Sequence, residues 1–312
     1  MKGMRQRVTT SDASRAGGER ATSVQRAYPL LAGFCDTHVH ILDPQRFPFH
    51  SKRRYTPGPA TIAQLQAMHA QIGINRVVVV QNSVYGTDNR CLVDALRQIG
   101  AQARGVCAIG PDTTMEEIAT LDRAGVRGVR LNLSVYNTND PAIALGALAV
   151  EARIPPHWHV HINADLAVLV SIADRLDKMR APVVLDHFAH ASAAKGANQP
   201  GLAKIIALMQ AKKAVVKLSG PYQISQRADY DDVKAIVQRF IAAAPEQLIW
   251  GSDWPHTGGS SRAATQNPDE IEPFRAEDTA HNFTLLNLWV PDRGLRQQIL
   301  TETPARLYGF AT

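Results

Sequence analysis

The sequence predicts an α/β fold, a single (β/α)8 TIM barrel with its active site at the C-terminal ends of the strands. Three observations lead there. Eight short apolar runs alternate with amphipathic stretches over about 280 residues, the pattern of parallel strands joined by helices. Eight such units in roughly 250 residues close into a barrel. Polar residues that are odd for buried strands collect at the ends of the runs, the rim where such barrels hold their chemistry. The runner-up, a doubly wound open sheet, would want a Gly-rich phosphate loop after an early strand, and neither G-x-G-x-x-G nor G-x-x-x-x-G-K-[ST] occurs.

In chain order, the first strand spans about 33–41. A long loop follows with Pro44, Pro48, Pro57, Gly58 and Pro59, then a helix at about 61–72. Arg76-Val77-Val78-Val79-Val80-Gln81 reads as a strand buried on both faces. A helix at 90–99 follows Asn89, strand three covers 104–109, and Thr113-Thr114-Met115-Glu116 opens the next helix with capping chemistry. Strand four is 126–133, with a helix near 141–152 behind it. Strand five is 158–163, with Asp165 expected to cap the following helix. Pro182 starts strand six, 183–187. Helix 201–211, strand seven at 214–219 and helix 230–243 lead to strand eight, which carries Asp253. Helices near 281–290 and 293–307 close the chain.

Length and composition bound the class. The chain has 312 residues, is 45% hydrophobic and contains no apolar run near the roughly 20 residues of a membrane span. No apolar leader opens it. Cys35, Cys91 and Cys107 show no C-x-x-C spacing and cannot all pair, which suits thiols in a reducing cytoplasm. The pI near 9.3 does not point to nucleic acid. Residues 1–30 hold six basic side chains against two acidic ones, four of the six net charges, so the body is nearly neutral. The expected organisation is a basic, flexible tail over 1–30 and one barrel domain over 31–312.

The chemistry centres on Asp36-Thr37-His38-Val39-His40. On a regular strand Asp36, His38 and His40 share one face. Two imidazoles at a strand end can bind a metal or polarise a carbonyl. Far downstream, Leu248-Ile249-Trp250-Gly251-Ser252-Asp253 ends an apolar run in a carboxylate, with Pro255 stopping the strand. Other strand ends add Gln81 and Asn82, Arg130 and Asn132, His159, His161 and Asn163, Asp186 and His187, and Lys217 with Ser219. Buried polar groups cost free energy unless paired, so a ring of them argues for function. Simpler roles are expected for some. Asp186 orients His187 or bonds the backbone, Lys217 pairs with a lumen carboxylate, His69 and His281 sit on helix surfaces, and His157 is structural.

These residues together resemble the amidohydrolase superfamily, whose hallmark is H-x-H on strand one and Asp on strand eight, and within it the 2-pyrone-4,6-dicarboxylate lactonase branch. The resemblance runs through most of 33–309. It includes Phe47-Pro48-Phe49, Arg54-Tyr55, Gly86-Thr87-Asp88-Asn89, Arg127 to Asn132, Trp158-His159-Val160, Asp186-His187, Gly251 to His256 and Ala305-Arg306-Leu307-Tyr308. It implies a lactone hydrolase with an aspartate base, working without a metal, its site lined by Asp253, His38, His40, His187, Tyr55 and Arg130. Two arginines of the lactonase are missing: Tyr136 stands at one position and Tyr222-Gln223 near the other.

The reading that follows gives Asp253 the role of general base toward water. His38, His40 and His187 donate to the carbonyl oxygen, Arg130 anchors a substrate carboxylate, and Tyr55 closes over the substrate. Asn82, His161, Asn163, Tyr222 and His256 complete the substrate-facing set. The expected partner is a small anionic lactone, not nucleic acid or membrane, in the cytoplasm, and no cofactor is favoured. The alternatives are a hydrolase, lactone isomerase or decarboxylase with one zinc on His38, His40, His161, His187 and Asp253, and a non-catalytic ligand-binding barrel.

Overall fold

The computed structural model describes residues 33–134, 140–258 and 270–311. The basic tail and Tyr136 lie outside the described residues. Eight parallel strands follow one another around a barrel in sequence order: β1 (Cys35–Val39), β2 (Arg76–Val80), β3 (Ala103–Cys107), β4 (Val126–Asn132), β5 (His159–Asn163), β6 (Val183–Leu185), β7 (Ala214–Ser219) and β8 (Leu248–Gly251). The expected barrel is present, with every strand end within two residues of the expected one.

The two faces of the strands separate as period-two alternation requires. Val77 and Val79 of β2, Val160 and Ile162 of β5, and Val216 and Leu218 of β7 pack outward in the main core with the helices. Val78, Val80, Val106, Val184, Val215 and Ile249 form a second, inner cluster with Tyr308 and Phe310. The last helix (Thr303–Tyr308) thus plugs the N-terminal end of the barrel. Arg104 fixes the plug by donating to the Tyr308 and Gly309 carbonyls and lying 4.6 Å over the Phe310 ring.

Helix starts follow local chemistry. Thr114 Oγ1 accepts from Glu117 N and Glu117 returns a bond to Thr114 N, so the helix Met115–Arg123 opens on a full capping box. Asp165 stands at the cap of Leu166–Ser171, but its side chain makes no capping bond. The expected single helix over 293–307 is three segments, with one π-helical stretch at Gln298–Glu302.

The barrel closes between β1 and the chain just past β8. Asp253 N donates to His38 O and His40 N donates to Trp254 O, each at 2.9 Å. Thr37 Oγ1 donates to Trp250 O at 2.7 Å. β1 is irregular between Asp36 and Val39, and this corrects its expected facing. Cys35 joins the inner cluster, whereas the Asp36 carboxylate reaches His69 Nε2 on the helix Ile62–Ile72 at 3.1 Å. Asp36 also accepts from Ser252 N at 2.9 Å and His38 N at 3.1 Å. His69 is therefore buried, not a surface residue, and Asp36 ties the closure together without sharing the face of His38 and His40.

Close approach at this seam needs a residue without a side chain. A Cβ at Gly251 would lie 2.7 Å from His38 Cβ and 2.9 Å from His38 N. Gly251→Ala is expected to destabilise the fold by about 1–3 kcal/mol, read as a lower urea midpoint. Gly146→Ala, on an exposed helix with nothing within 4 Å, should instead stabilise by about 0.5–1 kcal/mol.

Candidate active site

The closure bonds bring Asp253, at φ 63°, to the two histidines of β1. Its Oδ1 lies 3.6 Å from His38 Nε2 and 3.9 Å from His40 Nε2. Its Oδ2 accepts from Tyr222 OH at 2.7 Å and lies 3.8 Å from His187 Nδ1. Gly220, at φ +56°, lets this happen, because a Cβ there would sit 2.8 Å from Asp253 Oδ2. Burial alone would raise the Asp253 carboxyl; charge on the neighbouring imidazoles, His187 foremost, and the hydrogen bond donated by Tyr222 act the other way and hold it below the usual carboxylate range. Burial pulls His40 down to about 4, helped by Arg130, and holds His38 well below the usual imidazole value, helped by Lys217, so both rings are neutral at pH 7.

Beneath this group lies a buried ion pair. Lys217 Nζ of β7 is 2.9 Å from Asp186 Oδ1, and both side chains are 0% exposed. Arg130 Nε of β4 lies 3.4 Å from Asp186 Oδ2. Burial would raise the Asp186 carboxyl, but Lys217, His38 and Arg130 together hold it well below the usual range. Burial lowers the Lys217 ammonium, opposed by Asp186. Asp186 therefore holds the lumen cations and does not orient His187. That ring meets Ser219, whose Oγ is 3.1 Å from His187 Nδ1.

The chain after β6 makes a left-handed turn of ordinary residues: His187, Phe188, Ala189 and His190 all have φ between 50° and 55°. Each such residue costs about 1–2 kcal/mol, and such conformations cluster at functional sites. A turn with about three residues per repeat sets positions i and i+3 on one side, and the His187 and His190 rings meet edge-on at 5.6 Å.

The family model described as amidohydrolase matches residues 35–310. The chain belongs to the amidohydrolase family. A 4-sulfomuconolactone hydrolase from Rhizobium radiobacter is 31% identical over 94% of this chain and 95% of its own length. A 2-pyrone-4,6-dicarboxylate hydrolase from Comamonas testosteroni is 31% identical over 90% and 92%. A solved structure from Pseudomonas putida, provisionally named a 2-pyrone-4,6-dicarboxylic acid hydrolase, superposes with a TM-score of 0.75 at 29% identity, covering 91% of this chain and all of that one. The family and these relatives make the amidohydrolase an enzyme of the hydrolase class.

The remaining expected site residues divide by depth. Tyr55 is buried and donates to Asn82 Oδ1 at 2.9 Å, so in this structure it forms part of the wall. Asn82 also accepts from Val84 N. Asn163 donates to Asn132 Oδ1 at 3.0 Å, and its own Oδ1 lies 2.6 Å from His190 Nε2. His256 Nε2 lies 2.7 Å from Thr279 Oγ1. Gln223 is exposed. His161 sits lower, with Nε2 at 2.8 Å from His159 Nε2 and 3.3 Å from Tyr308 OH. Gly128 leaves the space that His159 fills. Sequence reasoning missed His190 and Ser219's contact with His187; nothing in the local pattern marks a left-handed turn of non-glycine residues. Among the described residues no helix is long and apolar enough to cross a membrane.

His38, His40 and Asp253 place three ligand atoms within 4.8 Å of one another, and so do His38, Asp186 and His187. His161 joins neither group. The distances suit one divalent ion, but the donor chemistry does not. A ligating His38 Nε2 needs the ring proton on Nδ1, where it would face Lys217 Nζ at 3.0 Å. Asp186 Oδ1 also lies 3.5 Å from that nitrogen, but with Lys217 charged and nearer, the residues present do not fit a metal on His38 Nε2.

The Asp186 carboxyl is depressed in the fold, so its stabilising contribution is complete above the unfolded value of about 3.9. It is lost as pH falls through the lower folded value. Asp186→Asn leaves Lys217 and Arg130 facing an amide and should cost about 3–5 kcal/mol at pH 7. Denaturation midpoints measured from pH 7 to pH 3 should show this deficit narrowing below about pH 4.

Proposed function

We propose that this amidohydrolase opens a lactone bearing one anionic group, with Asp253 as general base and without a resident metal. The observation that carries the reading is the buried Asp253 carboxyl group, set among His38, His40, His187 and Tyr222 at the barrel rim. The names of the two relatives denote lactones that carry acid groups, a sulfo group and a free carboxylate in one and two carboxylates in the other. Both support an acid-bearing lactone; the limit to one anionic group rests on Arg130 as the one lumen cation among the described residues left to meet it.

Asp253 takes a proton from water as the water oxygen attacks the lactone carbonyl carbon. The carbonyl oxygen gains the negative charge, stabilised by hydrogen bonding from the imidazole face. The ring C–O bond then breaks, and the proton held by Asp253 passes to the leaving oxygen, giving an open-chain acid with a free hydroxyl. Arg130 engages Asp186 through Nε and the Gln81 carbonyl through Nη1, and its remaining donors take one substrate anion. Lys217 is committed to Asp186 and offers no second anion site.

Asp253→Asn should lower kcat by about 10²–10⁴-fold, with an unchanged circular dichroism spectrum, when acid release is followed on a lactone panel. Near-wild-type turnover would overturn the assignment. On the same panel, lactones with one carboxylate or sulfonate should exceed dicarboxylated ones in kcat/KM by tenfold or more. A preference for the dicarboxylate would mean that another cation, such as exposed Arg54, supplies the second contact. Chelator treatment and zinc addition should both leave the rate unchanged.

A further inference from the structure

The two histidines of the H-x-H pair stand edge to face, 5.0 Å apart, and the atoms behind them differ. His40 Nδ1 lies 2.8 Å from the Val80 carbonyl oxygen. A carbonyl only accepts, so a neutral His40 carries its proton on Nδ1 and turns the Nε2 lone pair toward Asp253. His38 is wired the other way. Its Nδ1 lies 3.0 Å from Lys217 Nζ, which also meets Asp186 Oδ1 at 2.9 Å and His161 Nδ1 at 3.3 Å. An ammonium has three protons and no acceptor site, and here three acceptors surround it. Asp186 Oδ1 also lies near His38 Nδ1, at 3.5 Å, but the ammonium is nearer at 3.0 Å, so His38 Nδ1 accepts and the ring proton stays on Nε2. That nitrogen is fully buried and has no hydrogen-bond partner among the described residues.

We propose that Lys217 is a positioning residue whose ammonium holds His38 as the Nε2–H tautomer, opposite to His40, so that His38 donates to the reacting carbonyl oxygen while His40 accepts from the attacking water. The water would give one hydrogen to Asp253 Oδ1 and one to His40 Nε2, acceptors 3.9 Å apart. Two acceptors bridged by one water at about 2.8 Å each stand roughly 4–5 Å apart, close to that separation. Only the hydrogen on Asp253 is transferred. This assigns opposite duties to rings that the sequence reading treated alike. It rests on the lactone-hydrolase reading for its catalytic half only.

The tautomers are read directly by two-dimensional long-range ¹H–¹⁵N spectra of ¹⁵N-histidine-labelled protein at pH 7, with resonances assigned through His38→Gln and His40→Gln. His38 should show its protonated nitrogen at ε2 and His40 at δ1. Protonated Nδ1 on His38 overturns the proposal whatever the substrate proves to be, because this measurement needs none. Lys217→Met tests the cause, and Lys217→Met/Asp186→Asn removes both charges together should the single variant fail to fold. In the folded variant His38 should shift toward Nδ1–H, and kcat should fall about 10²–10³-fold with KM for an anionic lactone within threefold. An unchanged Nε2–H signal in the folded variant would remove Lys217 as the cause. If no lactone is turned over but the tautomers are as stated, the functional reading fails and the positioning role stands.

Discussion

The contact between Lys217 and Asp186 decides the electrostatics of the barrel interior. Both groups are out of water, and removing an ion from water costs several kcal/mol even after relaxation. Their separation of 2.9 Å offsets part of that cost, and Arg130 supplies a second cation on the other carboxylate oxygen. Two acids, Asp186 and Asp253, are thereby matched by two bases in the lumen. The histidines can remain neutral, and each must then be a donor at one nitrogen and an acceptor at the other. A lumen without the Lys217 ammonium would leave Asp186 Oδ1, 3.5 Å from His38 Nδ1, as the acceptor for that ring's proton and erase that division.

This arrangement depends on how the barrel is closed. The backbone bonds between β1 and residues 253–254 place Asp253 opposite His38 and His40. Asp36, turned outward by the irregularity in β1, accepts from Ser252 N and from His38 N on the two sides of the seam. Gly220 and Gly251 provide room at the two closest approaches. The inner apolar cluster and the Tyr308 plug beneath keep water away from His159 and His161, so the lumen polar groups interact in a medium of low effective dielectric.

Most of the fold is readable in the sequence, because apolar runs and capping residues act locally. Val77 to Val80 must be a strand buried on both sides, and Thr114 opens a helix whatever lies around it. The polar residues at strand ends are readable for the same reason: His38, Arg130, His187 and Asp253 interrupt runs that are otherwise apolar. What was not readable depends on contacts between distant strands. The partner of Asp186 is Lys217, one strand away across the sheet, and no pattern within β6 favours it over His187. The outward turn of Asp36 follows from a single irregularity that breaks the period of two, and this buries His69. Whether the H-x-H pair suits a metal turns on the residue behind His38, which enters from β7.

The closure has a consequence for the order in which activity is acquired. The bond from Thr37 to Trp250 spans 213 residues, and the histidine pair and its carboxylate lie on the two sides of the same seam. Fragments that hold only the first strands would carry the imidazoles without the acid, and fragments from the far end the acid without the imidazoles. Joining them carries nearly the largest loop-closure entropy this chain allows, and contacts of such sequence separation are slow to form. On the proposed mechanism partly assembled barrels would be chemically silent, and turnover during refolding would report the meeting of the first and last strands more directly than any measure of secondary structure.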